Sequence, residues 1–348
     1  MQDSLKRSQV LGSSRYIAQE FRALCAGAGI TEEKRVPLVS RHDESIRFTN
    51  STISVLKPLL QNGVSNPSFL LQPALRLQNI EHWKRTGSMS AFGCYFMAFG
   101  ALAGPSWLEE FHALVSAFLV HRLGIPEERV VWRYSSRDVE LARAVEALGM
   151  PSEADGYEPS RYRHVFGVGG TTGRNSNVAI RTDRGLFDVG NVIVIEHNGV
   201  PVGVEMAFGI NNLLSRAENL AHPVHASVAH GVIRELGCRP DFGSEIETDA
   251  LGSAAALALD GLRPSGRGRG RNFRDFLKVL APALNYSRME ETVQAATRAE
   301  MELRTVASEP DGFEDLCPEE AADIILTGIR KISPTIGPVS TALQKVTS

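Results

Sequence analysis

At 348 residues the chain is longer than one ordinary core requires, which predicts two packed units or one large α/β unit with an appendage. Hydrophobic residues at 43% and charged residues at 22% exclude a disordered, collagenous or fibrous chain. With 37 Lys+Arg against 40 Asp+Glu the formal charge is −3, which excludes a basic nucleic-acid coat; any nucleic-acid contact must come from a local patch.

Four cysteines (Cys25, Cys94, Cys238, Cys317) lie far apart without a CxxC pair, a pattern that argues against a zinc ribbon or disulfide scaffold and fits a reducing cytoplasm. The N-terminal stretch MQDSLKRSQVLGSSRY has no apolar run able to serve as a secretion signal. Thr86 to Leu108 is uncharged over roughly a membrane span, but its glycines, serines and Pro105 read as buried strand and turn, so no membrane partner is expected.

In chain order, residues 14–29 repeat apolar groups at helical spacing (Tyr16, Ile17, Phe21, Leu24) and end at glycine. VPLVSRHDESIRFTN alternates loosely and predicts strand, turn, strand. Residues 69–104 predict antiparallel strands joined by a loop around NIEHWKRTG. SWLEEFHALVSAFLVHRLG predicts an amphipathic helix with Trp107, Phe111, Leu114, Phe118 and Leu119 on one face and a glycine stop. RVVWRYSS predicts a strand and DVELARAVEALG a helix capped by Asp138. NVAIRT, GNVIVIEH and VPVGVEMAF follow as strands. After about residue 212 the pattern is helical, interrupted at RPSGRGRGRNFR, so the expected units are 1–215 and 216–348.

Most candidate chemical motifs fail on inspection. GVGGTTG at 167–173 lacks the GK[ST] ending of a phosphate-binding loop and reads as an ordinary loop. His222, His225 and His230 have no suitably spaced cysteine or carboxylate, so capping and surface roles are expected rather than a metal. RPSGRGRGRNFR is different: Arg263, Arg267, Arg269, Arg271 and Arg274 fall within twelve residues of an acidic protein. The alternatives there are a solvated loop and a phosphate-contact patch for RNA or a nucleotide. Alternation with glycine predicts that the guanidinium groups fan along a phosphate backbone rather than share one helix face.

Several segments taken in order resemble the catalytic core of alanyl-tRNA synthetases. These are IRFTNSTISVLKPLL, FLLQPALRLQNIEHW, CYFMAFGALAG, LGIPEERVVWRY, FGVGGTTGRNSNVAIRTD, then FDVGNVIVIEHN and VEMAFG; DALGSAAALALDGLRPSGRGRG is similar to the start of that family's helical tRNA-binding region. The resemblance covers roughly residues 15–280. It implies an α+β fold, a class II synthetase-like antiparallel sheet flanked by helices and followed by a helical region, as a stand-alone core without editing and C-terminal domains.

Carried over position by position, the resemblance implies that Arg76 grips the α-phosphate and the amino-acid carboxylate, a task that suits a permanently charged fork. Glu81 matches a carboxylate beside the nucleotide, Tyr95 and Phe96 match aromatic groups beside adenine, and Gly209 belongs to the turn of motif 3. Phe166 and Asn191 line the amino-acid pocket. Glu205 stands where the family pairs an aspartate with the α-ammonium group. Asn212 replaces an arginine that holds the γ-phosphate, with Arg216 the nearest arginine downstream. Arg267, Arg269, Arg271 and Arg274 fall in the tRNA-binding region, where a base-pair-reading asparagine is replaced by glycine.

The implied partners are tRNA, specifically alanyl-tRNA, and a small nucleoside or amine acceptor, with no DNA. No cofactor is expected to be tightly bound and no metal site is expected; ATP and Mg enter only if alanine is activated. Three readings follow from the resemblance. In the first, an alanyl group moves from alanyl-tRNA to an adenylate-like nucleoside or other small acceptor in a biosynthetic pathway. In the second, alanine is activated with ATP and passed to tRNA, a carrier protein or a small amine. In the third, the core only binds tRNA.

Overall fold

The computed structural model describes residues 5–39, 46–61, 64, 66–156, 162–165, 170–236, 244–282 and 288–332. Its body is a nine-stranded sheet: β1 (Thr31–Glu32), β2 (Ser68–Leu75), β3 (Tyr95–Ala103), β4 (Val130–Ser135), β5 (Ser152–Asp155), β6 (Arg163–Val165), β7 (Thr171–Thr182), β8 (Gly185–His197) and β9 (Val200–Gly209). The spatial order is β1-β2-β3-β9-β8-β7-β4-β5, with β6 alongside β7. Only the outer pairs β1–β2 and β4–β5 are parallel. The helices are α1 (Arg7–Gly27), α2 (Ile53–Gln61), α3 (Leu77–Thr86), α4 (Leu108–Ala117), α5 (Val139–Glu146), α6 (Ile210–Ala217), α7 (Val228–Leu236), α8 (Glu245–Leu259), α9 (Gly268–Leu280), α10 (Met289–Arg304) and α11 (Pro318–Ile332). This is the expected α+β class: a largely antiparallel sheet flanked by helices and followed by a helical region.

The two faces of the sheet have different cover. On one, Phe99 and Phe208 stack at 5.1 Å, and Phe21 from α1 sits edge-on to Phe69, Phe99 and Phe118. These rings belong to an apolar interior that runs from Leu5 to Ile332, so the sheet and the C-terminal helices share one core. Truncating a fully buried aromatic such as Phe21 to alanine should cost about 3–5 kcal/mol. On the opposite face, α2 lays Ile53 and Leu56 over Leu70, Leu102, Ile193 and Ile195, which covers only part of the strands. The rest of that face is open, and it forms the floor of the cavity.

Several sequence expectations hold. The helix at 14–29 exists and starts earlier, at Arg7; Asp138 caps α5 by accepting from the Leu141 amide at 3.2 Å. The strands expected at 177–182, 190–197 and 200–208 are present and longer than read, and residues 171–173, read as part of a loop, open β7.

Three expectations need correction. The segment NIEHWKRTG is not a loop: Ile80 and Trp83, one helical turn apart, bury one face of α3, which ends at Gly87 in the left-handed region. Within VPLVSRHDESIRFTN the described residues form no strand. The Gln72 side chain takes the Val36 amide, and a single Thr49 amide to Leu38 carbonyl bond at 2.9 Å replaces a ladder. Finally, the arginine segment is helical from Gly268 onward. Arg267, Arg271 and Arg274 therefore recur at helical spacing and share a face, whereas Arg269 turns away and donates to the Arg47 carbonyl at 2.6 Å. Glycine is required at 270, where a Cβ would lie 2.7 Å from the Arg263 carbonyl and 2.4 Å from Ser265 Oγ. No helix among the described residues is long and apolar enough to cross a membrane.

Candidate active site

A cavity of about 290 Å³ opens over the uncovered part of the sheet, roofed by residues that precede α7 and by α8. Its floor follows from strand alternation. Asn177 of β7 lies opposite Asn191 of β8, which lies opposite Ala207 of β9, and Ala98 of β3 lies opposite Gly209. Small residues at 98, 207 and 209 leave room above the sheet. A Cβ on Gly209 would sit 3.0 Å from the Phe96 ring, so glycine lets that ring lie flat against the turn into α6.

Arg76 ends β2 and caps the backbone start of α3. Its guanidinium lies 4.9 Å over the Phe96 ring, and Nε donates to the Asn50 carbonyl at 3.2 Å. Among the described residues no carboxylate stands within ion-pair distance of it, so its fork is available to a ligand anion. Burial lowers its pKa, with Glu205 opposing. It is the only lysine or arginine among the described lining residues.

Glu205 is 1% exposed and does not line the cavity itself. Its carboxylate accepts from Thr52 Oγ1 at 2.9 Å and from the Ile53 amide at the start of α2. Burial pushes its pKa up to about 7, against the opposing pull of those two bonds and of Arg76. Thr52, which does line the cavity, stands between this carboxylate and any ligand.

The wall formed by β7 and β8 carries a polar chain that the sequence reading missed. Asn175 donates to Asn177, Asn177 donates to Asp188 Oδ2 at 3.0 Å, and Arg133 donates to Asp188 Oδ1 at 3.0 Å. His164 stands next to Asn175, and burial lowers its pKa, which favours the neutral ring. Asn212 donates to the Asp188 carbonyl at 2.8 Å. The side-chain oxygens of Asn191 and Asn212 are buried without a hydrogen-bond partner. Asp249 of α8 also reaches the cavity, but its oxygens accept from the Cys94 amide at 2.8 and 2.9 Å.

The remaining expected residues divide clearly. Phe96, Asn191, Gly209 and Asn212 line the cavity with Arg76. Tyr95 also lines it, but its hydroxyl is bonded to Glu300 of α10, in a buried network where Arg304 meets Asp260 at 2.7 Å. Glu81 is on the exposed side of α3, 3.4 Å from Lys84. Phe166 lies outside the described residues. Arg216 is buried beneath α6 with its guanidinium 4.2 Å over Phe187 and directed at the Leu220 and Ala221 carbonyls, so it does not replace the missing arginine at 212. His222 has the expected capping role, accepting from the Val224 amide at 3.2 Å. Among the described residues no group of three or more His, Cys, Asp or Glu is placed to hold a metal ion.

No family model matches the chain. It is similar to the alanine–tRNA ligase of Methanopyrus kandleri, 32% identical over 113 residues that make up 29% of this chain and 12% of that one. It is also similar to the alanine–tRNA ligase of Sulfurisphaera tokodaii, 21% identical over 291 residues, 79% of this chain and 28% of the ligase. The chain thus spans less than a third of the length of these relatives. Among solved structures it is similar to Staphylococcus aureus histidyl-tRNA synthetase (TM-score 0.41, 14% identity, 63% of this chain and 72% of that one). A second is Entamoeba histolytica asparaginyl-tRNA synthetase in complex with asparaginyl-adenylate (TM-score 0.41, 11% identity, 64% and 66%). The resemblance read from the sequence is shared with alanine–tRNA ligases of more than one organism: the chain carries an alanine–tRNA ligase-like class II core.

Proposed function

We propose that the chain is an aminoacyltransferase whose cavity holds an aminoacyl-nucleoside-like ligand, with aminoacyl-tRNA, on the resemblance alanyl-tRNA, as the donor. The single observation that carries this reading is the charge of the cavity. Arg76 can balance one phosphoryl or carboxylate group, and Arg216 is turned away from the space where a triphosphate would need a second cation. An Asn212 amide is neutral and donates to a backbone carbonyl.

The residues fit a ligand of low negative charge better than ATP with Mg. Of the two carboxylates lining the cavity, Asp249 is engaged by backbone amides, and Asp188, bonded to Arg133 and Asn177, has no second free carboxylate beside it among the described residues to share a divalent ion. No step is therefore routed through ATP. In the transfer, a nucleophilic hydroxyl or amine of the acceptor attacks the ester carbonyl of the aminoacyl-tRNA. The bond to the tRNA 3′-terminal ribose breaks, and the acceptor's proton ends on the released ribose hydroxyl. No protein nucleophile is needed; positioning and charge stabilisation by Arg76, with the Phe96 ring as a flat support, supply the catalysis. The arginines at the start of α9 would contact the tRNA backbone.

Two assays on the purified protein test the reading. Amino-acid-dependent exchange of pyrophosphate into ATP should be absent, and charged tRNA should lose its alanyl group only when a nucleoside or amine acceptor is supplied. Robust exchange would instead select ATP-dependent alanine activation.

A further inference from the structure

The geometry points to a primary-ammonium site formed by Asp188, Asn191 and Asn212, in a corner of the cavity distinct from Glu205. It rests on the aminoacyl reading above for the identity of the ammonium, which would be the α-amino group of the transferred residue.

The corner is created by an irregularity in the sheet. Between β7 and β8 the register runs Asn177–Asn191, Val178–Gly190, then Ala179–Asp188, so Val189 is an extra residue on β8. Val189 packs into the main core and Gly190 lies against Phe208, where a Cβ would be 2.3 Å from the ring. Two consecutive residues therefore face the core side. Asp188 is returned to the cavity side, where Asn177 reaches its carboxylate.

Three acceptors line this corner: the Asp188 carboxylate and the side-chain oxygens of Asn191 and Asn212. Asn212 Nδ2 donates to the Asp188 carbonyl, and because a carbonyl can only accept, the amide orientation is fixed with its oxygen turned the other way. That oxygen and Asn191 Oδ1 are buried and unpartnered. Asp188 keeps about a third of its side chain exposed, 35%, and each carboxylate oxygen retains an unused lone pair beyond its bond to Arg133 or Asn177. A group bringing three N–H donors and a positive charge satisfies all three; a hydroxyl or methyl group leaves buried acceptors bare, at a penalty. The other carboxylates near the cavity cannot serve. Asp249 is committed to the amides of Cys94 and Tyr95, and Glu205 is shut beneath Thr52.

The test compares ligands with and without the amine. Calorimetry would measure alanyl-sulfamoyl-adenosine against its propionyl counterpart on the parent, Asp188→Asn and Glu205→Gln, with L-alaninamide against propionamide as a nucleoside-free pair read by NMR titration. The parent should favour each amine, and Asp188→Asn should lower that preference by about tenfold or more while leaving the propionyl compounds nearly as tightly bound. Asp188→Glu should restore part of it. Glu205→Gln should leave the preference for the amine at the parental level. The site is overturned if Asp188→Asn keeps the parental preference or if Glu205→Gln removes it. If the parent binds neither nucleoside but prefers alaninamide through Asp188, the ammonium site stands and the acyl-nucleoside reading falls.

Discussion

The two halves of the cavity-bearing sheet face carry similar strands but opposite solutions to burial. Under α2, the side chains at 70, 102, 193 and 195 are aliphatic, and the one carboxylate among them, Glu205, is closed off by Thr52 and a helix-starting amide. A short distance away, Asn177 of β7, Asn191 of β8 and Asn212 in the first turn of α6 are amides, the floor beneath is alanine and glycine, and the side-chain oxygens of Asn191 and Asn212 have no partner. Buried polar groups left unmatched are costly, so a fold retains them where something else completes them. A ligand is therefore expected over the amides, with Arg76 at the border between the halves.

The largest effect should come from that border. Arg76→Gln can place an amide nitrogen where Nε donates to Asn50 but removes the charge and the terminal fork, so aminoacyl transfer should fall by roughly a hundredfold to a thousandfold with little change in thermal unfolding. A variant with near-parental kcat/KM would erase the distinction between the open half and an ordinary polar crevice.

The sealed half predicts a pH effect on stability rather than on activity. Glu205 has its pKa raised from 4.5 to about 7 in the folded protein, mainly by burial. Between those values the folded state holds the proton more tightly than the unfolded chain does. Stability from this group is therefore highest below about pH 4.5, declines as pH rises to about 7, and is level above that. Glu300, likewise raised to about 7 by burial, adds a parallel decline. Urea unfolding at pH 5 and pH 8 should show Glu205→Gln losing a share of the parental decline on the order of 3 kcal/mol. An unchanged decline would mean that the carboxylate is not held as the sealed half requires.

Much of this was legible in the sequence because the signals were local. The apolar runs at 177–182, 190–197 and 200–208 announced β7 to β9, an aspartate before a helical run announced the cap of α5, and the ordered segments pointed to Arg76, Phe96 and Asn191. The misses have physical causes. Asp188 is hidden by the extra residue at Val189, since strict alternation would place it on the other face. Asp249 acts on Cys94 from 155 residues away, where no spacing argument reaches. The start of α9 was masked by three glycines, one of which is demanded by a close backbone approach rather than by a loop. Glu205 was read through the resemblance as the partner of an α-ammonium group; the hydrogen bonds it makes, with Thr52 Oγ1 and the Ile53 amide, come from a segment read only as part of that resemblance.

The arginines at α9 extend the comparison to the outer surface, with a smaller effect. Arg267 and Arg271 are exposed and Arg274 partly so, and among the described residues none of the three has a carboxylate partner. Arg269, by contrast, is tied to the Arg47 and Ile46 carbonyls, at the beginning of the stretch that continues to Asn50 and Thr52 at the cavity wall. If tRNA is the donor, the three on one face should act as phosphate contacts and the fourth as a structural tie. Changing Arg267, Arg271 and Arg274 to glutamine should weaken tRNA binding and make the slope of log K against log salt shallower by roughly 2, at about 0.7–0.9 per contact. The affinity for an aminoacyl-sulfamoyl nucleoside should scarcely change, because that ligand sits in the cavity. Arg269→Gln should do the reverse: a nearly parental salt slope, with weaker nucleoside binding and a lower unfolding temperature as the 46–52 stretch loosens. Equal effects of all four on the salt slope would remove the distinction between the surface face and the tie, and an unchanged slope in the triple variant would leave α9 a solvated helix end with no part in tRNA binding.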